Sequence, residues 1–206
     1  MSYIVRPMGT DDIPQVTAID REAFPTMWPP MNYHRELENN LAHYFVIVED
    51  EGARPEYGPP ALADGLANRV REWFSPHHND RGKPEKVIGF AGFWMMAGEA
   101  HIISLAVKRE FRRHGFGKLL LIELVIEAVK REAEIVTLEV RVSNYEAQRL
   151  YLQYGFISKG VRRAYYTDNR EDALIMTLDD VNSTECVDKF NAARGILKFA
   201  GLKRTD

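Results

Sequence analysis

The stretch that most constrains the fold runs from residue 101 to residue 142, where a strand pattern, a glycine loop, an apolar helix and a second strand pattern follow one another. The runs "HIISLAVK" and "IVTLEVRV" are typical of strands, and "KLLLIELVIEAVK" between them is typical of an apolar helix. A strand, a helix and a strand in this order form a right-handed crossover unit, in which the two strands are parallel. The segment therefore predicts an α/β protein in which this helix packs on a sheet.

The loop of this unit, "FRRHGFG" at residues 111 to 117, allows two interpretations. Its glycines could serve only to turn the chain. They could also form a cradle for phosphate, because glycine lets the backbone approach an anion and the first turn of a helix offers unpaired N–H groups. The spacing Arg-x-x-Gly-x-Gly matches neither the P-loop nor the dinucleotide fingerprint, which disfavours ATP and NAD. The spacing alone leaves both interpretations open.

Further strands and helices are predicted around this unit. The predicted strands cover residues 2–7, 43–50, 85–96, 99–108, 135–142, 156–166 and 171–178. The predicted helices begin at Thr10, Asn32, Gly117, Asn144 and about Thr184. The helix from Gly117 carries a single polar stripe, Glu123, Glu127, Lys130 and Arg131, so we expect it to expose only one edge to water.

The domain organisation follows from a change of composition in the middle of the chain. Residues 50–86 hold five of the ten prolines, which predicts an insertion between two strands. We expect one domain over residues 1–180 that contains this insertion, followed by a mildly basic, helical extension over residues 181–206.

Charge and cysteine content limit the partners that this chain can have. A net charge of −3 argues against direct binding of nucleic acid or of a membrane surface. The single cysteine, Cys186, excludes an internal disulfide and favours a reducing compartment. No apolar run is long enough to span a bilayer, and the first residues do not resemble a signal peptide. We expect a cytoplasmic protein.

The six histidines raise the question of a metal site. Only His77 and His78 are adjacent, and neighbours in sequence rarely bind one ion together. No cysteine or carboxylate spacing completes a set of ligands. We therefore expect no metal.

Two motifs together resemble those of a known family. Arg112-x-x-Gly115-x-Gly117, followed by "LEVRVSN", "LY" and "YGF" within residues 138–156, resembles the GNAT acetyltransferase superfamily. More narrowly, the chain is similar to the ribosomal-protein-alanine N-acetyltransferases (RimI-like) and the related Nα-acetyltransferases. The similarity covers about residues 3–178 except the insertion. It implies the GNAT fold, a mostly antiparallel sheet with a splayed parallel strand pair, flanked by helices.

The resemblance implies that acetyl-CoA binds in the splay between the two parallel strands. Its pantetheine arm would pair with the backbone of Leu105, Ala106 and Val107. Its diphosphate would lie on the glycine loop. Asn144 matches the family asparagine that contacts acetyl-CoA. The loop residues implied are Arg112, Arg113, His114, Gly115, Phe116, Gly117 and Lys118.

Glu139 and Tyr151 are the candidate catalytic residues. Alternation along the strand at 135–142 places Glu139 on the face opposite its apolar residues. A carboxylate suffices as the base for an α-amino group, whose reference pKa is about 7.7–8.0. From the residues alone, Glu139 could be a solvated charge and Tyr151 a packing aromatic. The resemblance implies instead that Glu139 is the general base and that Tyr151 is the general acid that protonates the departing thiolate.

The acceptor is implied by two further segments. "FPTMW" and "YY" match the loops that flank a peptide N-terminus in the Nα-acetyltransferases, so an acceptor slot is expected. Its residues would be Phe24, Trp28, Tyr165 and Tyr166. The resemblance implies a protein or peptide acceptor such as the N-terminal alanine of ribosomal protein S18. A lysine side chain, a polyamine, another small amine, or a CoA-binding module without catalysis are the alternatives.

Overall fold

The computed structural model describes residues 2–26, 30–50 and 85–199. The predicted insertion lies mostly outside the described residues, as do Trp28 and residues 200–206 of the predicted extension. The division into a domain and an extension stays a prediction.

Within the described ranges, seven strands form one mixed sheet in the order β1-β2-β3-β4-β5-β7-β6. The strands are β1 (Ser2–Pro7), β2 (Ala42–Asp50), β3 (Lys86–Met96), β4 (Glu99–Val107), β5 (Ile135–Arg141), β6 (Ile157–Tyr166) and β7 (Glu171–Leu178). Neighbouring strands are antiparallel except β4 and β5, which are parallel. The predicted mixed α/β sheet and its crossover unit are therefore confirmed.

Helices cover both faces of this sheet. They are α1 (Ile13–Ala23), α2 (Tyr33–Glu38), α3 (Phe116–Lys130), α4 (Tyr145–Gln153) and α5 (Thr184–Phe199). Val46 and Val48 of β2 belong to the core under α1 and α2, whereas Ile47 belongs to the core under α3. This is the alternation that a strand buried on both faces requires.

The start of α1 differs from the prediction. Thr10 does not cap the helix, because Thr10–Asp12 form a 3₁₀ turn that Gly9 precedes. The Asp12 carboxylate accepts a hydrogen bond from the Gly9 N–H at 2.8 Å, so the side chain of Asp12 stabilises the start of this turn.

Half of the polar stripe of α3 is covered rather than exposed. Only 5% of the Glu123 side chain is accessible, and Arg194 of α5 lies 3.6 Å from it. Glu127 is also buried and pairs with Lys130 and Arg131 on its own helix. The expectation of one exposed edge holds at Lys130 and Arg131 and was wrong for Glu123 and Glu127, because α5 packs against α3 over part of that edge.

The parallel pair separates where β4 and β5 approach their carboxyl ends. Their register runs only from Glu99↔Ile135 to Ile102↔Leu138. Beyond it, β4 continues to Val107 paired with β3, and β5 continues to Arg141 paired with β7. A register shift opposite Gly92 and Phe93 places a bulge in β4 at the point of separation, and a bulge bends a strand and increases its twist. The sheet therefore opens a wedge between β4 and β5.

Candidate active site

The glycine loop ends in a turn that prepares the start of α3 for an anion. Gly115 precedes the helix with φ 87° and ψ −3°, the left-handed region that glycine tolerates best. Arg113 is also left-handed, with φ 69°. Leu119 N–H donates to Gly115 C=O at 3.0 Å, so the N–H groups before it in the first turn have no helical acceptor behind them. Such donors at a helix N-terminus suit a phosphate group.

The cationic side chains of the loop are largely engaged with the protein itself. Arg112 Nε donates to the Val107 carbonyl at 3.0 Å and so braces the loop against the end of β4. The exposed Arg113 pairs with Glu146 of α4. His114 Nδ1 lies 2.7 Å from the Arg112 carbonyl oxygen. The groups of this loop that remain available to an anion are therefore mainly backbone N–H groups, with Lys118 as a partly exposed cation in the first turn.

The two other implied contacts with the cosubstrate occupy suitable places. Leu105, Ala106 and Val107 pair with β3 on one side, and their other backbone edge faces the wedge. Asn144 lies where β5 leads into α4, and its Oδ1 caps that helix by accepting from Ala147 N–H at 3.2 Å. An extended arm in the wedge would meet the edge of β4 that β5 does not pair beyond Ile102.

Glu139 lies in the wedge between a histidine and an arginine. Its Oε2 is 2.7 Å from His101 Nε2, and its Oε1 is 3.0 Å from Arg162 Nε. Burial alone would raise the pKa of Glu139, but the hydrogen bond and charge of His101 and the charge of Arg162 outweigh it and lower that pKa. The hydrogen bond to Glu139 raises the pKa of His101 and outweighs the effect of burial there. The carboxylate and the imidazole form one proton-sharing pair.

His101 was not predicted as a site residue. The sequence places it at the start of a strand. Its importance follows from the register, which pairs His101 with Thr137, two residues before Glu139 on the neighbouring strand. A histidine on the partly exposed face of β4 is the signal that could have been used. Arg162 was also missed, because it reaches Glu139 from β6, across β7.

Tyr151 is buried in α4, and its ring lies 5.6 Å from that of Phe156. Burial, with a smaller effect of Tyr166, raises the pKa of the Tyr151 phenol. The phenol therefore stays protonated at neutral pH, the form in which it can donate a proton to a thiolate. It packs as an aromatic residue and still carries the proton that the predicted acid needs.

Tyr165 and Tyr166 end β6 beside the Glu139 pair. Their rings are 5.2 Å apart and perpendicular. Burial raises the pKa of Tyr166 to about 12, and the charge of Arg141 opposes this. Phe24 follows α1 and is partly buried against the core of that face. Arg141 bonds Thr26 at 3.3 Å and Asp168 at 2.9 Å, so the loop after α1 and the β6–β7 turn meet at the wedge.

Comparisons with known proteins agree with this geometry. Residues 51–156 match the model of the acetyltransferase (GNAT) family. A Bacillus subtilis (strain 168) protein, provisionally assigned as a ribosomal protein bS18-alanine N-acetyltransferase, is 34% identical over 173 residues, which are 84% of this chain and 92% of that protein. An N-alpha-acetyltransferase of Sulfurisphaera tokodaii is 31% identical over 176 residues, covering 84% of this chain and 91% of the relative.

A solved structure leads to the same family. The ribosomal-protein-S18-alanine N-acetyltransferase from Escherichia coli superposes with a TM-score of 0.61 at 26% identity, covering 86% of this chain and 94% of that one. The resemblance inferred from the two motifs is thereby confirmed. This chain belongs to the GNAT acetyltransferase family and is an acetyl-CoA-dependent N-acetyltransferase.

Proposed function

We propose that this enzyme acetylates the N-terminal α-amino group of a protein, with an N-terminal alanine of the ribosomal protein S18 type as its acceptor. One observation carries the choice: the Glu139 carboxylate is already engaged, by a hydrogen bond with His101 and an ion pair with Arg162. A polyamine brings several positive charges, and a carboxylate that is already paired with Arg162 offers them little attraction. An α-amino group needs only to lose one proton near neutral pH. The name of the bacterial relative favours this acceptor, and that of the archaeal relative favours an α-amino group.

The loop and the open edge of β4 fit acetyl-CoA. Backbone N–H groups at the start of α3 would hold the diphosphate, and the edge of Leu105 to Val107 would align the arm. Acetyl-CoA, when bound, supplies an acetyl group on a thioester and a thiolate that can leave. The bracing bond from Arg112 to Val107 keeps the loop and the strand in one fixed relation.

The proton of the acceptor amine is received by the His101–Glu139 pair. Glu139 alone would be a weak base, because its pKa is lowered. His101 is the more exposed of the two, and its neutral ring can accept a proton that Glu139 then stabilises. As the nitrogen–carbon bond forms and the carbon–sulfur bond breaks, the Tyr151 phenol donates its proton to the sulfur.

The slot for the acceptor lies between the loop after α1 and the β6–β7 turn. Tyr165 and Tyr166 would border the first residue of the peptide, and Phe24 would close the other side. A small first side chain suits a slot between bulky rings, which is why alanine is proposed. Trp28 belongs to this proposal from the sequence alone.

The test is a panel of acceptors incubated with the enzyme and acetyl-CoA, followed by mass spectrometry. The panel contains peptides that begin with alanine, serine, glycine or methionine, an N-terminally blocked peptide with a free lysine, and spermidine. Acetylation of the alanine peptide at its α-amino group is expected. Acetylation of only the blocked peptide or only spermidine would contradict the proposal and support a different amine.

A further inference from the structure

Arg141, the last residue of β5, connects both loops of the acceptor slot. Its Nη1 donates to Glu171 at 3.1 Å and to Asn169 at 3.2 Å. Its Nη2 donates to Asp168 at 2.9 Å and to Thr26 Oγ1 at 3.3 Å. One guanidinium thus joins the β6–β7 turn to the loop that follows α1.

The flat face of the same guanidinium supports a slot tyrosine. The Arg141 Cζ atom lies 3.8 Å from the centroid of the Tyr166 ring, within the range of a cation–π contact. Glu171 also accepts a hydrogen bond from the Ser143 N–H at 2.8 Å, which fastens the turn to the segment between β5 and α4. Arg141 therefore sets the position of Tyr166 in two ways. It stacks on the Tyr166 ring, and it holds the β6–β7 turn that follows this residue.

This arrangement is more than a surface ion pair. A single exposed pair contributes little, because two flexible side chains must be ordered to make it. Here one planar fork uses several donors at once, and only 26% of the Arg141 side chain is exposed. The hydrogen bonds from Arg141 and Ser143 lower the pKa values of Asp168 and Glu171, so both acids stay charged throughout the neutral range.

We propose that Arg141 is a positioning residue that fastens the two acceptor loops together and thereby sets the affinity for the peptide. It touches neither reacting atom and acts through Tyr166 and the loop at Thr26. The inference rests on the acceptor slot proposed above. Without Arg141 the peptide would have to order both loops as it binds, which weakens binding of the peptide and leaves the cradle for acetyl-CoA untouched.

The experiment compares wild type with Arg141→Gln, Arg141→Lys and Asp168→Asn. The matched control is Arg163→Gln, since Arg163 also pairs within the β6–β7 hairpin, but with Asp172 rather than with a partner of Arg141, and its side chain is 85% exposed. Peptide KM, kcat, acetyl-CoA affinity by calorimetry and amide hydrogen exchange are measured for each. Asp168→Asn changes only the tip of the turn, so it reports on the fastening even if Arg141→Gln folds poorly.

We expect Arg141→Gln to raise the peptide KM about tenfold, with kcat and acetyl-CoA affinity changed by less than about threefold. Arg141→Lys should recover part of the loss, because lysine restores the charge without the fork. Faster exchange is expected around Thr26 and at residues 165–171 in Arg141→Gln and Asp168→Asn but not in Arg163→Gln. The same KM in Arg141→Gln and Arg163→Gln would overturn the inference.

The two proposals fail in different ways. If wild type acetylates no peptide, the proposed function is wrong, and exchange alone decides whether Arg141 fastens the loops. Unchanged exchange at both loops in Arg141→Gln would then overturn the fastening as well. If wild type acetylates the alanine peptide and Arg141→Gln does so with the KM of wild type, only the role of Arg141 fails.

Discussion

Replacing Glu139 with glutamine tests the centre of the proposed mechanism. The substitution keeps the size of the side chain and removes the charge that His101 and Arg162 share. His101 would lose the hydrogen bond that raises its pKa. Its ring would then be a weaker base, and no carboxylate would stabilise the protonated form. If the pair receives the proton of the amine, kcat should fall about 10²–10⁴-fold, the usual contribution of a positioned base.

The cost in stability can be worked from the two contacts. The hydrogen bond to His101, at 2.7 Å and mostly buried, is charge-assisted and contributes about 1.5–3 kcal/mol. The pair with Arg162 is half-exposed and contributes about 0–1 kcal/mol. The free energy of unfolding should therefore fall by about 1.5–4 kcal/mol, which lowers Tm by about 3–16 °C for a chain of this length.

The dependence of this cost on pH follows from the signs of the two shifts. His101 has a raised pKa in the folded state, so its contribution is complete below about 6.5 and is lost as pH rises through the folded value. Glu139 has a lowered pKa, so its contribution is complete above about 4.5 and is lost as pH falls through the folded value. The Tm difference between wild type and Glu139→Gln should be larger at about pH 6 than at about pH 9.

The assay follows thiol release for kcat and thermal unfolding for Tm. Glu99→Gln is the matched control, because Glu99 lies 3.7 Å from the other ring nitrogen of His101 and is more exposed. Its kcat should stay within about twofold of wild type. A Glu139→Gln variant that turns over as fast as Glu99→Gln would refute the assignment of the base.

Two further substitutions test the acid and the cradle. Tyr151→Phe keeps the buried ring and removes the proton donor, so kcat should fall about 10²–10⁴-fold while Tm changes little, and an unchanged rate of thiol release would exclude this tyrosine as the acid. Gly115→Ala places a Cβ at φ 87°, which costs about 1–2 kcal/mol and distorts the loop. Its dissociation constant for acetyl-CoA should rise about tenfold by calorimetry, whereas Gly195→Ala in α5, where a Cβ meets nothing within 4 Å, should leave it unchanged.

The order of strands and helices was accessible to sequence because each element carries its own local signal. The alternation at 135–142, the glycine loop and the caps at Asn144 and Gly155 all report on a few neighbouring residues. Asn144 begins α4 as its cap, as predicted, and Gly155 follows that helix with φ 99°. The crossover unit then determined that β4 and β5 are parallel, and the wedge between them is where their pairing ends.

The partners of Glu139 were not accessible, because they depend on register between strands distant in sequence. His101 reaches it across the parallel pair, and Arg162 reaches it across β7. The burial of Glu123 and Glu127 was mispredicted for a related reason. The pattern of α3 shows which of its faces is polar, but it does not show that α5, which begins only at Thr184, packs over part of that face. The fork of Arg141 likewise joins segments that only the folded chain brings together.

The packing of α5 has a practical consequence for producing this enzyme. Phe190 is buried with its ring 5.7 Å from that of Tyr154, and Arg194 lies over the buried Glu123. Losing a buried phenylalanine alone costs about 3–5 kcal/mol, a large part of the stability of an ordinary domain. A recombinant version that ends before α5 would remove Arg194 from the Glu123 carboxylate and expose the face of α3 that α5 covers, so we expect it in inclusion bodies rather than as a smaller soluble catalyst.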